Sequence, residues 1–242
     1  MLAFKQLEIR AGARHLFAAS SIHLRNGIVA LVGRNGTGKS TLLKTIMGLH
    51  RDFSGEILVD GKSLDSYKPA DLAKEIAIVY SKSNIFGSHS GRDVLMLGRL
   101  PYQNAFAKET AVDREQVNRI IELLQLEKFI DQEFSVLSDG EKQLIMIGRA
   151  VVQDTKIILL DEPAAFLDLV NRHQLMRVLQ EIAKSTEKLI LFSTHQMDVL
   201  PKVCQSVLLI DQNELRLIED PTTFITTIYK SFGMDNLETD EV

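Results

Sequence analysis

The sequence predicts an α/β chain, with buried parallel strands joined by helical crossovers and an antiparallel flank beside them, and three observations lead to that expectation. Ile28 to Val32, Ile157 to Leu160 and Leu189 to Phe192 are short runs without a polar residue, as expected of strands covered on both faces. Longer amphipathic stretches lie between them, with the apolar spacing of helices. From about Asn84 to Val152 the strand signals stop and helical spacing takes over, which reads as an inserted helical region.

Along the chain, Phe4 to Ile9, Ser21 to Leu24 and Glu56 to Val59 alternate as half-buried strands do, and Asp60-Gly61 is a tight-turn pair. An antiparallel sheet is therefore expected to precede or flank the parallel one. Ile28 to Val32 runs into a glycine-rich turn and then a helical Ser40 to Met47, so strand, loop and helix follow in order. Within the helical region Val112 to Leu126 carries the clearest stripe: Val117, Ile120, Ile121 and Leu124. Asp168 to Lys184, with Leu175, Val178, Leu179 and Ile182 on one side, is the helix joining the last two buried runs into a βαβ unit. The acidic end from Asp235 to Val242 is expected to fray.

Composition narrows the function. The 242 residues, 45% hydrophobic and 25% charged, suit an ordinary core and exclude disordered or collagen-like chains. With 28 Lys+Arg against 32 Asp+Glu the net charge is −4, which argues against a non-specific nucleic-acid binder, so no nucleic-acid partner is expected. Cys204 is the only cysteine, and Met1 to Lys5 lacks the profile of a secretory signal, so the cytosolic side of a membrane is favoured. No uncharged apolar run approaches the roughly 18–20 residues that cross a bilayer, so any membrane connection comes through a partner.

Gly33-Arg34-Asn35-Gly36-Thr37-Gly38-Lys39-Ser40-Thr41 fits the phosphate-binding loop, glycine, four residues, Gly-Lys-Ser, in the required place between a buried strand and a helix. Its glycines let backbone N–H groups turn inward, Lys39 reaches the outer phosphates, and the Ser40 hydroxyl can ligate Mg²⁺. Asp161-Glu162 ends the run Ile157 to Leu160, at the strand end where α/β sheets bind ligands. Asp161 is expected to hold the Mg²⁺ and Glu162 to polarise an attacking water. The bland alternative is a helix start with Pro163 in its first turn.

Between these two elements, Leu137-Ser138-Asp139-Gly140-Glu141-Lys142-Gln143 resembles the signature motif of ABC ATPases, and the chain is identified by it as resembling an ABC-transporter ATPase subunit. Ser138 and Glu141 also form a capping box ahead of Leu144 and Ile145, and the two readings are compatible. The resemblance covers nearly the whole chain. It implies a single ABC ATPase domain, with 1–81 and 153–242 as the nucleotide-binding core and β flank and 82–152 as a helical subdomain. It also implies ATP and Mg²⁺ as ligands. A second copy of the chain would supply Ser138 and Gly140 in trans, Asp168 in Ala165-Phe166-Leu167-Asp168 would lie at the dimer seam, and His195 would be the switch histidine. The further partners implied are an integral-membrane permease and, indirectly, an extracytoplasmic substrate-binding protein, which places the chain on the cytoplasmic face of the inner membrane. A soluble ABC protein of translation or DNA repair would carry two nucleotide domains or a long coiled-coil insertion, and neither is visible.

The chain departs from the family's pattern in places. Ala11 stands where an aromatic ring usually covers the adenine, leaving Phe17 or His15 as substitutes. Ser81 stands at the position of the Q-loop glutamine, and a groove near Ser81 to Gly87 is expected to receive the permease. Asp139 and Glu141 add negative charge to the signature. Val94 to Tyr102, with Leu97-Gly98-Arg99-Leu100-Pro101-Tyr102, is similar to ATPases of iron-siderophore, haem and cobalamin importers; its alternative reading is a helix ended by Gly98 and Pro101.

Overall fold

A computed structural model describes residues 1–81, 88–103, 109–165 and 167–234. Residues 82–87 of the expected permease groove, Phe166 and the acidic end 235–242 lie outside the described residues.

The strands β1 (Leu2–Ala11) and β2 (Arg14–Leu24) form a hairpin, and β3 (Gly27–Gly33) feeds α1 (Lys39–Ile46). Next come β4 (Phe53–Val59), β5 (Lys62–Ser63), α2 (Pro69–Leu72) and β6 (Ile76–Val79). The helices α3 (Gly91–Met96), α4 (Ala111–Leu123) and α5 (Asp139–Val152) follow, before β7 (Ile157–Leu160), α6 (Leu169–Thr186) and β8 (Leu189–Ser193). The described chain closes with α7 (Leu200–Val203), β9 (Ser206–Asp211), β10 (Glu214–Ile218) and α8 (Phe224–Ser231).

The ten strands of the described residues belong to one sheet, in the order β5-β4-β1-β2-β10-β9-β3-β8-β7-β6. The strands β9, β3, β8, β7 and β6 run parallel, while β2, β1, β4 and β5 are antiparallel. The antiparallel flank is therefore joined to the parallel half and is not a separate sheet. The joint is the β9–β10 hairpin, whose second strand meets β2 at Glu214 and Ala18 and whose Asn213 carbonyl accepts the Ala18 N–H at 2.9 Å. Asp60 and Gly61 take left-handed φ values of 49° and 80°, the conformation of the two-residue turn between β4 and β5.

Strict apolarity in β3, β7 and β8 has a direct cause. Side chains alternate across a strand. Ile28, Ala30, Val32, Ile158, Leu160, Ile190 and Phe192 enter a core shared with α5 and α6. Val29, Leu31, Ile157, Leu159, Leu189 and Leu191 enter a second core with α1, β1 and β2. Both faces are dry, so neither register position tolerates a charge, and only the strand ends are free to carry polar chemistry.

Among the described residues, three helices start on reciprocal capping boxes: Ser90 with Asp93, Thr110 with Asp113, and Ser138 with Glu141. Asp113 does double duty, because the buried Arg99 donates to its Oδ1 at 2.9 Å and to the Val152 carbonyl at 3.0 Å, with the Tyr102 ring 4.3 Å from the guanidinium carbon. Here α3 ends at Met96 and the chain continues as a 3₁₀ turn through Leu97–Tyr102 that contains both Gly98 and Pro101. A Cβ on Gly98 would stand 2.4 Å from the Arg149 carbonyl oxygen, so glycine there permits the turn to lie against α5.

Candidate nucleotide site

The phosphate loop follows β3 directly. Gly36 and Gly38 have φ of 74° and 106°, which side chains rarely permit, and Gly38 begins α1 without any side-chain cap. The first N–H groups of α1 are thus open to an external anion. A Cβ on Gly33 would sit 2.7 Å from Thr37 Oγ1, and that hydroxyl donates to the Arg34 carbonyl at 2.8 Å, closing the loop on itself. Buried Lys39 lies back along the loop and donates to the Gly33 carbonyl at 2.9 Å and that of Arg34 at 3.4 Å. Burial pushes the Lys39 pKa down, while the Glu162 and Asp161 carboxylates pull the other way.

The C-terminal ends of β3, β7 and β8 lie side by side, which brings the remaining groups together. Ser40 Oγ donates to Asp161 Oδ1 at 3.0 Å. Ser193, the last residue of β8, donates its hydroxyl to the same oxygen at 2.8 Å and accepts the Glu162 N–H at 2.8 Å. Glu162 has left-handed φ, 49°, and its Oε1 lies 2.9 Å from His195 Nε2. Lys39, Ser40, Asp161, Glu162 and His195, which the sequence selects separately, thus form one cluster. A cavity of about 240 Å³ borders Glu162, Thr194 and His195.

Ser138, Gly140 and Asp168 form a second group. Ser138 caps α5, Asp168 caps α6 by accepting the Asn171 N–H at 2.8 Å, and a Cβ on Gly140 would stand 3.4 Å from the Leu167 side chain. The signature helix and the residues before α6 therefore border one cavity of about 530 Å³, lined among others by Ser138, Gly140, Leu167 and Asn171.

Sequence reasoning did not place Ser193 or the destination of Arg34. A signal for the first was present, a single hydroxyl closing an otherwise apolar strand. For the second there was none: the Arg34 guanidinium donates to the Phe232 carbonyl at 2.5 Å, 198 residues away, and lies 5.4 Å from that ring. Of the two substitutes for an aromatic at Ala11, Phe17 is wholly buried beneath Gly38 and has no ring face to offer a base; His15 is half-buried.

The profile of the ABC transporter family matches residues 20–165, more than half of the chain. The molybdate import ATP-binding protein MolC of Haemophilus influenzae is 32% identical, over 84% of this chain and 76% of its own length. The iron(3+)-hydroxamate import ATP-binding protein FhuC of Bacillus subtilis is 29% identical, over 81% of this chain and 74% of its own. Among solved structures, an inward-facing ABC transporter assigned to the metal-chelate type contains a chain that superposes with a TM-score of 0.83 and 29% identity, covering 96% of this chain and 88% of that one. Fold, phosphate loop and matched family profile converge: the chain belongs to the ABC transporter family, as an ATP-binding and ATP-hydrolysing subunit that works with a membrane permease.

Proposed function

We propose that two copies of this chain, seated on the cytoplasmic face of the inner membrane beneath their permease, sandwich two ATP molecules head to tail and so power import of an iron chelate, haem or cobalamin-like compound delivered by an extracytoplasmic binding protein. The observation that carries the catalytic part is the convergence of Lys39, Ser40, Asp161, Glu162 and His195 at three adjacent strand ends. The chain acts as one ABC domain, its core 1–81 and 153–242 holding nucleotide and its helical part 82–152 presenting the signature to the partner.

The phosphate-loop backbone from Gly33 through Gly38, with Thr41 in the first turn of α1, cradles the phosphates; Arg34 and Asn35 contribute through their main chain. Lys39 supplies the point charge. Glu162 accepts a proton from the attacking water in line with the γ-phosphate, and His195, hydrogen-bonded to that carboxylate, orients it and faces the transferring group. Mg²⁺ fits the donors present: the Ser40 hydroxyl and the Asp161 carboxylate are hard oxygens already 3.0 Å apart, and Mg²⁺ takes few protein ligands, completing its shell with phosphates and waters. Bound there, it would neutralise phosphate charge. Across the dimer, Ser138 and Gly140 of the second copy close over the γ-phosphate and Asp168 lies at the seam.

The cargo reading rests on the Val94 to Tyr102 segment and on FhuC and the metal-chelate type transporter among the similar proteins. Purified with its permease and binding protein in vesicles, the complex should hydrolyse ATP faster with a ferric hydroxamate than with molybdate; stimulation by molybdate alone would reassign the cargo. For the site, His195→Ala should retain ATP affinity while slowing hydrolysis by about 10²–10⁴-fold, the range of acid–base assistance. Equal losses of binding and turnover would make His195 structural.

A further inference from the structure

We propose that Ser193 is a positioning residue of the hydrolytic site, one hydroxyl that sets both Asp161 and Glu162; this rests on the roles just given to those two carboxylates. Ser193 is fully buried at the end of a strand whose other residues, Leu189 to Phe192, are all apolar. A hydroxyl in such a place is costly unless it is fully partnered, and it is. Asp161 as a carboxylate only accepts, so the single Ser193 proton goes to Oδ1, and the oxygen's lone pairs are left for the Glu162 N–H. The polarity of the bridge is therefore determined.

The bridge acts where the backbone departs from regular geometry. Glu162 takes a left-handed φ two residues past the end of the strand β7, and its carboxylate lies against His195. Its N–H would be unpaired beside an apolar strand end without Ser193. Asp161 is held from two sides, by Ser40 on the loop and by Ser193 on the sheet. Ser40 can exchange that partner for a bound nucleotide's ligands, whereas enclosed Ser193 keeps it. The segment is itself anchored, since the next residue, Thr194, donates its N–H to the Leu31 carbonyl of β3 at 3.1 Å. Ser193 and His195, two residues apart, thus fix the backbone and the carboxylate of Glu162 from one rigid strand end.

Threonine and valine at position 193 have the same shape and differ in the hydroxyl, so the full-length Ser193→Thr and Ser193→Val proteins separate the hydrogen bonds from packing. Two readouts are needed: kcat and KM for ATP hydrolysis, and hydrogen exchange at the Glu162 amide. Ser193→Val should lower kcat on the order of 10–100-fold, as loss of an outer partner does, with KM for ATP changed by less than about threefold, and should speed Glu162 exchange. Ser193→Thr should rescue both. Where either branched variant fails to fold, Ser193→Ala against wild type reads the same contrast. Equal turnover in the Thr and Val proteins, or undiminished Glu162 protection without the hydroxyl, overturns the proposal. Glu162→Gln is run alongside: should it hydrolyse ATP normally, the role of Glu162 fails, while amide exchange still reports on Ser193.

Discussion

Two helix starts in this chain are expected to meet phosphate, and they are built in opposite ways. The first, α1, begins at Gly38 in a left-handed conformation with no side-chain cap and no acidic residue in its first turn. The other, α5, begins at Ser138 with a complete capping box, Glu141 Oε2 accepting from the Ser138 N–H at 2.9 Å and its hydroxyl at 2.6 Å, and Asp139 and Glu141 in the first turn. A bare start keeps its N–H groups and its positive end for a ligand. A capped start has closed one of its N–H groups, that of Glu141 on the Ser138 hydroxyl, and has set its own carboxylate at the positive end. On the proposed reading the first is a resident site, while the second meets an anion with the Glu141 carboxylate beside it, which weakens that contact. That difference is what a shared site between two copies needs, with strong binding within each chain and conditional closure across them.

The largest expected effect is at the bare start. Lys39→Ala removes the committed cation, and ATP affinity should fall on the order of 100-fold or more, since charged hydrogen bonds contribute about 1.5–3 kcal/mol each. An ATP titration with undiminished affinity would break the comparison at once. Gly38→Ala is next: at φ 106° the added Cβ is strained and lies 3.1 Å from both Leu16 and Phe17. Strain of about 1–3 kcal/mol in the loop should lower ATP affinity by roughly tenfold. Full affinity would mean that the open geometry is dispensable.

The smallest effect belongs to the capped start. Glu141→Gln keeps a hydrogen-bonding side chain but removes the charge, so the isolated chain should lose about 0.3–1 kcal/mol of stability while ATP-driven association strengthens. The Ser138 hydroxyl and backbone N–H hold the Glu141 carboxyl below its ordinary 4.5. A lowered carboxyl pKa contributes stability that is complete above the ordinary value and lost as pH falls through the lowered one. Thermal unfolding followed from neutral pH to about pH 3 should therefore show an acid-side loss that is smaller in Glu141→Gln. Identical acid limbs would mean that the box contributes nothing.

Much of this was legible from local pattern. The strands β3, β7 and β8 were readable because both faces are buried, and the phosphate loop because its spacing is dictated by backbone geometry. Less visible was anything set by long-range pairing. The edge strand β6 is only four residues, Ile76–Val79, and its register with β7 is not a local property. The hairpin of β9 and β10 joins the two halves of the sheet through one residue pair with β2, which no window of sequence reports. The Arg34 guanidinium illustrates the same limit at the site: spacing fixes where a loop's backbone runs, while the side chain follows whatever packs beside it, here Phe232 after α8. Arg99, read from sequence as part of a family-like segment, and Asp113, which lies in the Val112 to Leu126 helical stretch, form a buried ion pair for that reason too.

The central claim is that the bare start of one copy and the capped start of another complete a single ATP site. Glu162→Gln removes the general base while keeping its shape, so the closed state should not be erased by hydrolysis. Light scattering of this variant at high concentration with ATP and Mg²⁺ should give twice the mass seen with ADP, and adding Ser138→Arg should return it to the single-chain mass with ATP affinity intact. A Glu162→Gln protein that binds ATP yet keeps the single-chain mass, and shows no nucleotide-driven closure when mounted on its permease, would contradict the shared site.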